Sequence, residues 1–164
     1  MITPVRGQRL EVLVADDDPI ARDILQIYLE SIGCRVQVVT NGDDALRACE
    51  EAGEWIELVI LDARMPGPAP SELYELIRLI NPSVPILYCS GVSPDDPDMQ
   101  FINEHGLRLV PKPFGRADLL QALRRLLSAA ESANAIRVNY APNRRDRLAD
   151  RPLKDSDGRT TVEG

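Results

Sequence analysis

The sequence predicts a doubly wound α/β domain, a five-stranded parallel sheet of strand order 2-1-3-4-5 with helices on both faces. Two observations carry this. Short apolar runs alternate five times with amphipathic segments, the sequence form of a parallel sheet with right-handed crossovers. Four of the runs also end on a polar side chain. Leu10 to Ala15 leads into Asp16-Asp17-Asp18, Ile56 to Leu61 into Asp62, Val84 to Cys89 into Ser90, and Leu107 to Pro111 into Lys112. In an open parallel sheet the carboxyl ends of the strands share one crevice, where ligands bind. The first and third strands flank the switch point of this order, so Asp16 and Asp17 should face Asp62 across it.

The elements follow in order. Leu10–Ala15 is the first strand. Ile20–Ile32 is a helix with Ile20, Ile24, Tyr28 and Ile32 four apart on one face, and Gly33 ends it. Val36–Thr40 is the second strand. Gly42–Glu51 is a weakly apolar helix closed by Gly53, and Ile56–Leu61 is the third strand. Ser71–Ile80 is a helix with Ser71 as N-cap and a stripe of Leu73, Leu76, Ile77 and Ile80; Asn81-Pro82 stops it. Val84–Cys89 is the fourth strand, Pro97–His105 a short helix ended by Gly106, and Leu107–Val110 the fifth strand. Ala117–Glu131 is a helix with Leu119, Leu120, Leu123, Leu126 and Leu127 inward.

From Ser132 onward the periodicity fails. Asn143-Arg144-Arg145-Asp146-Arg147 and Lys154-Asp155-Ser156-Asp157-Gly158 carry little to bury. The division expected is an N-terminal extension over 1–8, one domain over 9–131, and a flexible polar tail over 132–164, too short for a second core.

Composition narrows the function. With 164 residues, the domain can bury a core without disulfides or metal. Residues 1–131 hold 12 Lys/Arg against 21 Asp/Glu, a poor match for DNA, and aromatics are only 4%. No direct DNA binding is therefore expected. No apolar run approaches the ~20 residues of a membrane span, so no membrane insertion is expected. Cys34, Cys49 and Cys89 are odd in number and lack metal-ligand spacing; they read as reduced thiols packed in a cytoplasmic protein.

Three carboxylates in one crevice repel one another, and such a cluster points to a divalent cation. Magnesium takes oxygen ligands and is typically shared with a phosphate. Lys112 adds a point charge and Ser90 a hydroxyl for a phosphoryl oxygen. A carboxylate oxygen is the remaining nucleophile, and its attack on phosphorus gives an aspartyl phosphate.

Residues 9–127 resemble the receiver domain of bacterial two-component response regulators. The matching pieces are Val12-Leu13-Val14-Ala15-Asp16-Asp17, Leu61-Asp62-Ala63-Arg64-Met65-Pro66, Ser90-Gly91 and Lys112-Pro113-Phe114. They stand in the family's order at predicted strand ends and cover about three quarters of the chain. The resemblance implies a flavodoxin-like fold with Asp62 as phosphoacceptor. Asp16, Asp17, Asp62 and the backbone carbonyl of Arg64 would hold magnesium, with Ser90 and Lys112 on the phosphoryl group and a cis Lys112-Pro113 bond. The phosphodonor would be a sensor histidine kinase or phosphotransfer protein, and the output a downstream protein target, with a homodimer on phosphorylation as a further partner. No enzymatic activity is implied beyond self-phosphotransfer and autodephosphorylation.

Two departures stand out. The family often has an aromatic switch residue two or three positions before the lysine, where this chain has Leu109. Gly67-Pro68-Ala69-Pro70 replaces the usual loop ending in Asp-Gly, and its prolines stiffen the segment beside Asp62. The first departure keeps open a phosphate-independent binding module of the same fold. A receiver within a larger hybrid kinase is a further context; the initial Met1 and the polar ending argue mildly against it. An enzyme reading also exists, since Asp16-x-Asp18 with a later Ser90 and Lys112 is similar to haloacid-dehalogenase phosphatases. There Asp16 would be the nucleophile and Asp18 the general acid. Against it, Asp18-Pro19 is explained as helix cap and first helical residue, no acidic pair follows the lysine on a further strand, and Asp62 to Pro66 would lack a role.

Overall fold

The computed structural model describes residues 9–137 except Val92 and Pro94, with backbone alone over 132–137. The strands are β1 (Glu11–Ala15), β2 (Arg35–Val39), β3 (Leu58–Asp62), β4 (Ile86–Ser90) and β5 (Arg108–Pro111). The helices are α1 (Pro19–Glu30), α2 (Gly42–Ala52), α3 (Pro70–Ile80), α4 (Pro97–Glu104) and α5 (Arg116–Arg137). All strand pairs are parallel and the order is β2-β1-β3-β4-β5, as the sequence predicts.

Alternation along each strand sorts the core onto two faces. Leu13, Val59, Leu61, Ile86 and Tyr88 point to one side, where Ala45, Ala48 and Cys49 of α2, Leu73 and Ile77 of α3, and Ile102 of α4 cover them. Val12, Val14, Leu58, Ile60, Leu87 and Cys89 point to the other, against Leu25 and Leu29 of α1 and Leu119 and Leu123 of α5. Strands β3 and β4 are buried throughout, as fits strands covered on both faces. The three cysteines are free and buried, and burial pushes the Cys34 and Cys49 thiols up to about 11.

Several expectations need correction. The buried face of α1 is Ala21, Leu25 and Leu29; Ile20 is 68% exposed and Ile27 63%. The inward stripe lies one residue along from the Ile20-Ile24-Tyr28-Ile32 row, of which Tyr28 and Ile32 still pack half-buried against the same core. Ser71 is not the cap of α3. That helix starts at Pro70 after Ala69, with no side-chain cap bond, and proline's fixed φ suits the first helical position. Asp62 and Ser90 are the last residues of their strands, not the residues after them. Helix α5 continues past Glu131 to Arg137. The extension over 1–8 and the tail from residue 138 lie outside the described residues.

The readings of Asp18 as a cap and of Gly53 and Gly106 as helix ends hold. Asp18 caps α1 by accepting the Ile20 N–H at 2.9 Å, with Pro19 at the first helical position. Gly53 and Gly106 take positive φ after α2 and α4. His105 Nδ1 lies 3.0 Å from the Phe101 carbonyl, at the end of α4. No described helix is long and apolar enough to cross a membrane.

Candidate functional site

The parallel sheet brings the polar strand ends to one crest. Asp16 follows β1 and Asp62 ends the neighbouring β3; both are buried, while Asp17 is exposed. Carboxylate oxygens of the three lie within 4.8 Å of one another. Asp16 is held on three sides. Its Oδ1 accepts the Asp18 N–H at 2.9 Å, its Oδ2 accepts Lys112 Nζ at 2.6 Å, and its carbonyl accepts Arg22 Nη1 at 2.8 Å.

Lys112 reaches Asp62 as well, with Nζ 3.5 Å from Oδ2. Burial lowers the Lys112 ammonium, but the Asp16 hydrogen bond and the Asp62 charge outweigh it and hold the group above its ordinary value. It therefore stays cationic at neutral pH. The backbone N–H of Lys112 donates to the Ser90 carbonyl at 2.8 Å, which anchors the lysine to the end of β4. The Lys112-Pro113 bond is cis, as expected. Ser90 is 2% exposed on the same crest.

Asp62 Oδ1 accepts the Arg64 N–H at 3.1 Å, so the following loop curls back over the carboxylate. Burial pushes the Asp62 carboxyl up, opposed by that N–H and by Lys112 and reinforced by Asp16 and Asp17. The site thus holds more negative than positive charge. Three hard oxygen donors at this spacing fit a cation such as magnesium.

The Gly67 to Pro70 segment is seated on α2. The Gly42 N–H donates to the Pro66 carbonyl at 2.8 Å. Gly67 has φ +116°, and a Cβ there would meet the Gly42 and Asp43 backbone at 3.1 Å. An open cleft of about 450 Å³ runs along this loop between Asp17 and Asp98.

Leu109 pairs in register with Tyr88 and packs half-buried on the α2–α3–α4 face. Sequence reasoning missed three contacts. Tyr88 donates its hydroxyl to the Pro70 carbonyl at 3.2 Å. Arg22 braces the Asp16 carbonyl. Asp96 pairs with the Arg64 guanidinium. Only Asp96 carried a signal: Asp96-Pro97 repeats the Asp18-Pro19 pattern, and Asp96 does cap α4 by accepting the Asp98 N–H at 3.0 Å.

Residues 12–124 match the response regulator receiver domain family. The chain belongs to that family. As a receiver it is similar to longer proteins. It is 33% identical to the transcriptional regulatory protein ZraR of Klebsiella oxytoca over 136 residues, 83% of this chain and 29% of ZraR. It is 34% identical to the transcriptional regulatory protein AruR of Pseudomonas aeruginosa over 128 residues, 76% of this chain and 52% of AruR. The chain thus spans about half or less of these relatives.

Solved receivers share the fold. A CheY-like receiver from Methanospirillum hungatei superposes with TM-score 0.68 at 23% identity, over 77% of this chain and 99% of that one. The receiver of a Pseudomonas aeruginosa sensor histidine kinase, solved with magnesium coordinated in its active-site cleft, gives 0.65 at 26% identity, over 73% and 98%.

Proposed function

We propose that this receiver is a magnesium-dependent phosphorelay switch in which Asp62 takes a phosphoryl group from a phosphohistidine on a sensor kinase or phosphotransfer protein. The observation that carries the reading is Asp62 at the end of a central strand, with a carboxylate oxygen within 4.8 Å of those of Asp16 and Asp17 and 3.5 Å from the Lys112 ammonium. Membership of the receiver family supports the same chemistry.

Asp16, Asp17, Asp62 and the Arg64 carbonyl would hold the magnesium ion, which when bound supplies positive charge to offset the carboxylates and the incoming phosphoryl group. The remaining work falls to the chain. The Arg64 N–H holds Asp62 Oδ1, which orients the carboxylate. An Asp62 oxygen attacks phosphorus, the P–N bond breaks, and the imidazole, protonated on its other nitrogen, leaves neutral. Lys112 and the Ser90 hydroxyl bind phosphoryl oxygens. Catalysis here is positioning and charge neutralisation.

The output we assign is protein binding, because the described domain is acidic; transcriptional control is a property that ZraR and AruR carry in their names. Asp18 is no general acid in this reading, since its carboxylate is the cap of α1. We place the protein in the cytoplasm, where buried Cys34, Cys49 and Cys89 would stay reduced.

Acetyl phosphate with magnesium should add one phosphoryl mass to the wild type and none to Asp62→Asn. Wild type without a gain, under conditions where magnesium binds, would favour the phosphate-independent module that Leu109 keeps open.

A further inference from the structure

Arg64 joins three structures. Its N–H holds the Asp62 carboxylate, its side chain lies at the cleft beside Asp17 and Asp98, and its guanidinium pairs with Asp96. Asp96 divides its own carboxylate. Oδ1 accepts the Asp98 N–H and caps α4, while Oδ2 takes the guanidinium. These contacts connect Asp62 to the first turn of α4 through one arginine. The Asp98 N–H and the Arg64 guanidinium hold the Asp96 carboxyl below its ordinary value.

We propose that Asp96 is a positioning residue for Arg64: it holds the guanidinium on the α4 side of the cleft in the resting protein and yields it to the phosphoryl group on Asp62. The inference rests on the reading that Asp62 is the phosphoacceptor.

The competition favours the phosphoryl group. It carries up to two negative charges and three acceptor oxygens, against one charge on a carboxylate already engaged at Oδ1. Guanidinium is planar and donates in a fork that suits phosphate. Once Arg64 leaves, Asp96 still caps α4 but no longer ties it to the loop after β3.

Phosphoryl loss needs water to attack phosphorus, the P–O bond to break, and inorganic phosphate to leave with the Asp62 carboxylate restored. A guanidinium on the phosphoryl oxygens occupies the approach from the cleft and slows that attack. The Arg64–Asp96 pair therefore sets the lifetime of the phosphorylated state and transmits it to the start of α4.

Asp96→Asn isolates the pair from the cap, because Asn caps a helix about as well as Asp. The full chain is phosphorylated with acetyl phosphate and magnesium, the donor is removed, and decay is followed by intact mass. Hydrogen exchange is read over α4 before and after phosphorylation. Asp96→Asn should slow decay several-fold, Arg64→Ala should speed it several-fold, and the double variant should decay like Arg64→Ala. Exchange in the first turn of α4 should rise on phosphorylation in the wild type. In Asp96→Asn it should already be raised and rise no further. A mass gain with Asp96→Asn decaying at the wild-type rate, or both single variants moving decay the same way, overturns this inference alone. No mass gain in the wild type overturns the phosphoacceptor reading, and this inference with it.

Discussion

Lys112 donates to Asp16 at 2.6 Å, although the strands they follow, β5 and β1, are separated in the sheet by β3 and β4. The lysine reaches over the ends of both intervening strands and passes 3.5 Å from Asp62 on the way. One ammonium thus ties an edge strand to the centre of the sheet and sits where a phosphoryl group on Asp62 would place its charge.

Removing that ammonium leaves two buried carboxylates without their cation. In a chelator, at pH 7, Lys112→Met should lose roughly 3 kcal/mol, the low end for breaking a buried pair because the lysine side chain is 21% exposed. Its raised folded pKa means the contribution is full below the unfolded value of about 10.4 and lost as pH rises through the folded value. Urea unfolding should therefore show a constant deficit from pH 7 to pH 9. A variant as stable as wild type would show that the pair is solvated and contributes little.

Asp62 has the opposite effect on neutral-pH stability. Burial raises its carboxyl first, and Asp16 and Asp17 add to that. A carboxyl raised on folding gives its full stabilisation below about pH 3.9 and loses it as pH climbs through the folded value. Asp62→Asn avoids that loss. Without magnesium it should melt several degrees above wild type at pH 7, with the gap closing as pH falls below about 4. Adding magnesium should narrow the gap at pH 7. A less stable Asp62→Asn at pH 7 would contradict the charge balance described for the cluster.

Asp18 separates cap from chemistry. Its side chain accepts the Ile20 N–H, so Asp18→Ala should cost about 1 kcal/mol. Phosphoryl gain from acetyl phosphate should stay at one per chain. Loss of that gain in a folded Asp18→Ala protein would mean the carboxylate takes part in the site.

Gly67 tests the seating of the loop. Its φ is +116° and an added Cβ meets the Gly42 and Asp43 backbone, which has no side-chain freedom to yield. Gly67→Ala should destabilise by about 1–3 kcal/mol, read by chemical denaturation, and should shift the loop that carries Arg64. An unchanged midpoint would mean that the loop relaxes without cost.

Much of this site was legible because strand ends are legible. An apolar run of five or six residues places the next carboxylate, hydroxyl or lysine at the sheet's crest, and Asp16, Asp17, Asp62, Ser90 and Lys112 all lie there. The inward face of α1 was not. Ile20, Ile24, Tyr28 and Ile32 carry more apolar weight than Ala21, Leu25 and Leu29, yet the second row is the buried one, and only Tyr28 and Ile32 of the first reach the same core. The end of α5 was misplaced for a related reason. Ala129 to Ala135 is rich in helix-forming residues but poor in residues to bury, so propensity extends the helix where periodicity fails. The Arg64–Asp96 pair spans 32 residues and depends on where two loops meet, which no local pattern encodes.

The most direct test of the central claim is to locate the phosphoryl group chemically. Protein treated with acetyl phosphate and magnesium is reduced with borohydride, which converts an aspartyl phosphate to homoserine, and is then digested and mapped by mass. The account predicts homoserine at residue 62 and nowhere else. Homoserine at residue 16, or none in magnesium-bound wild type, would contradict it.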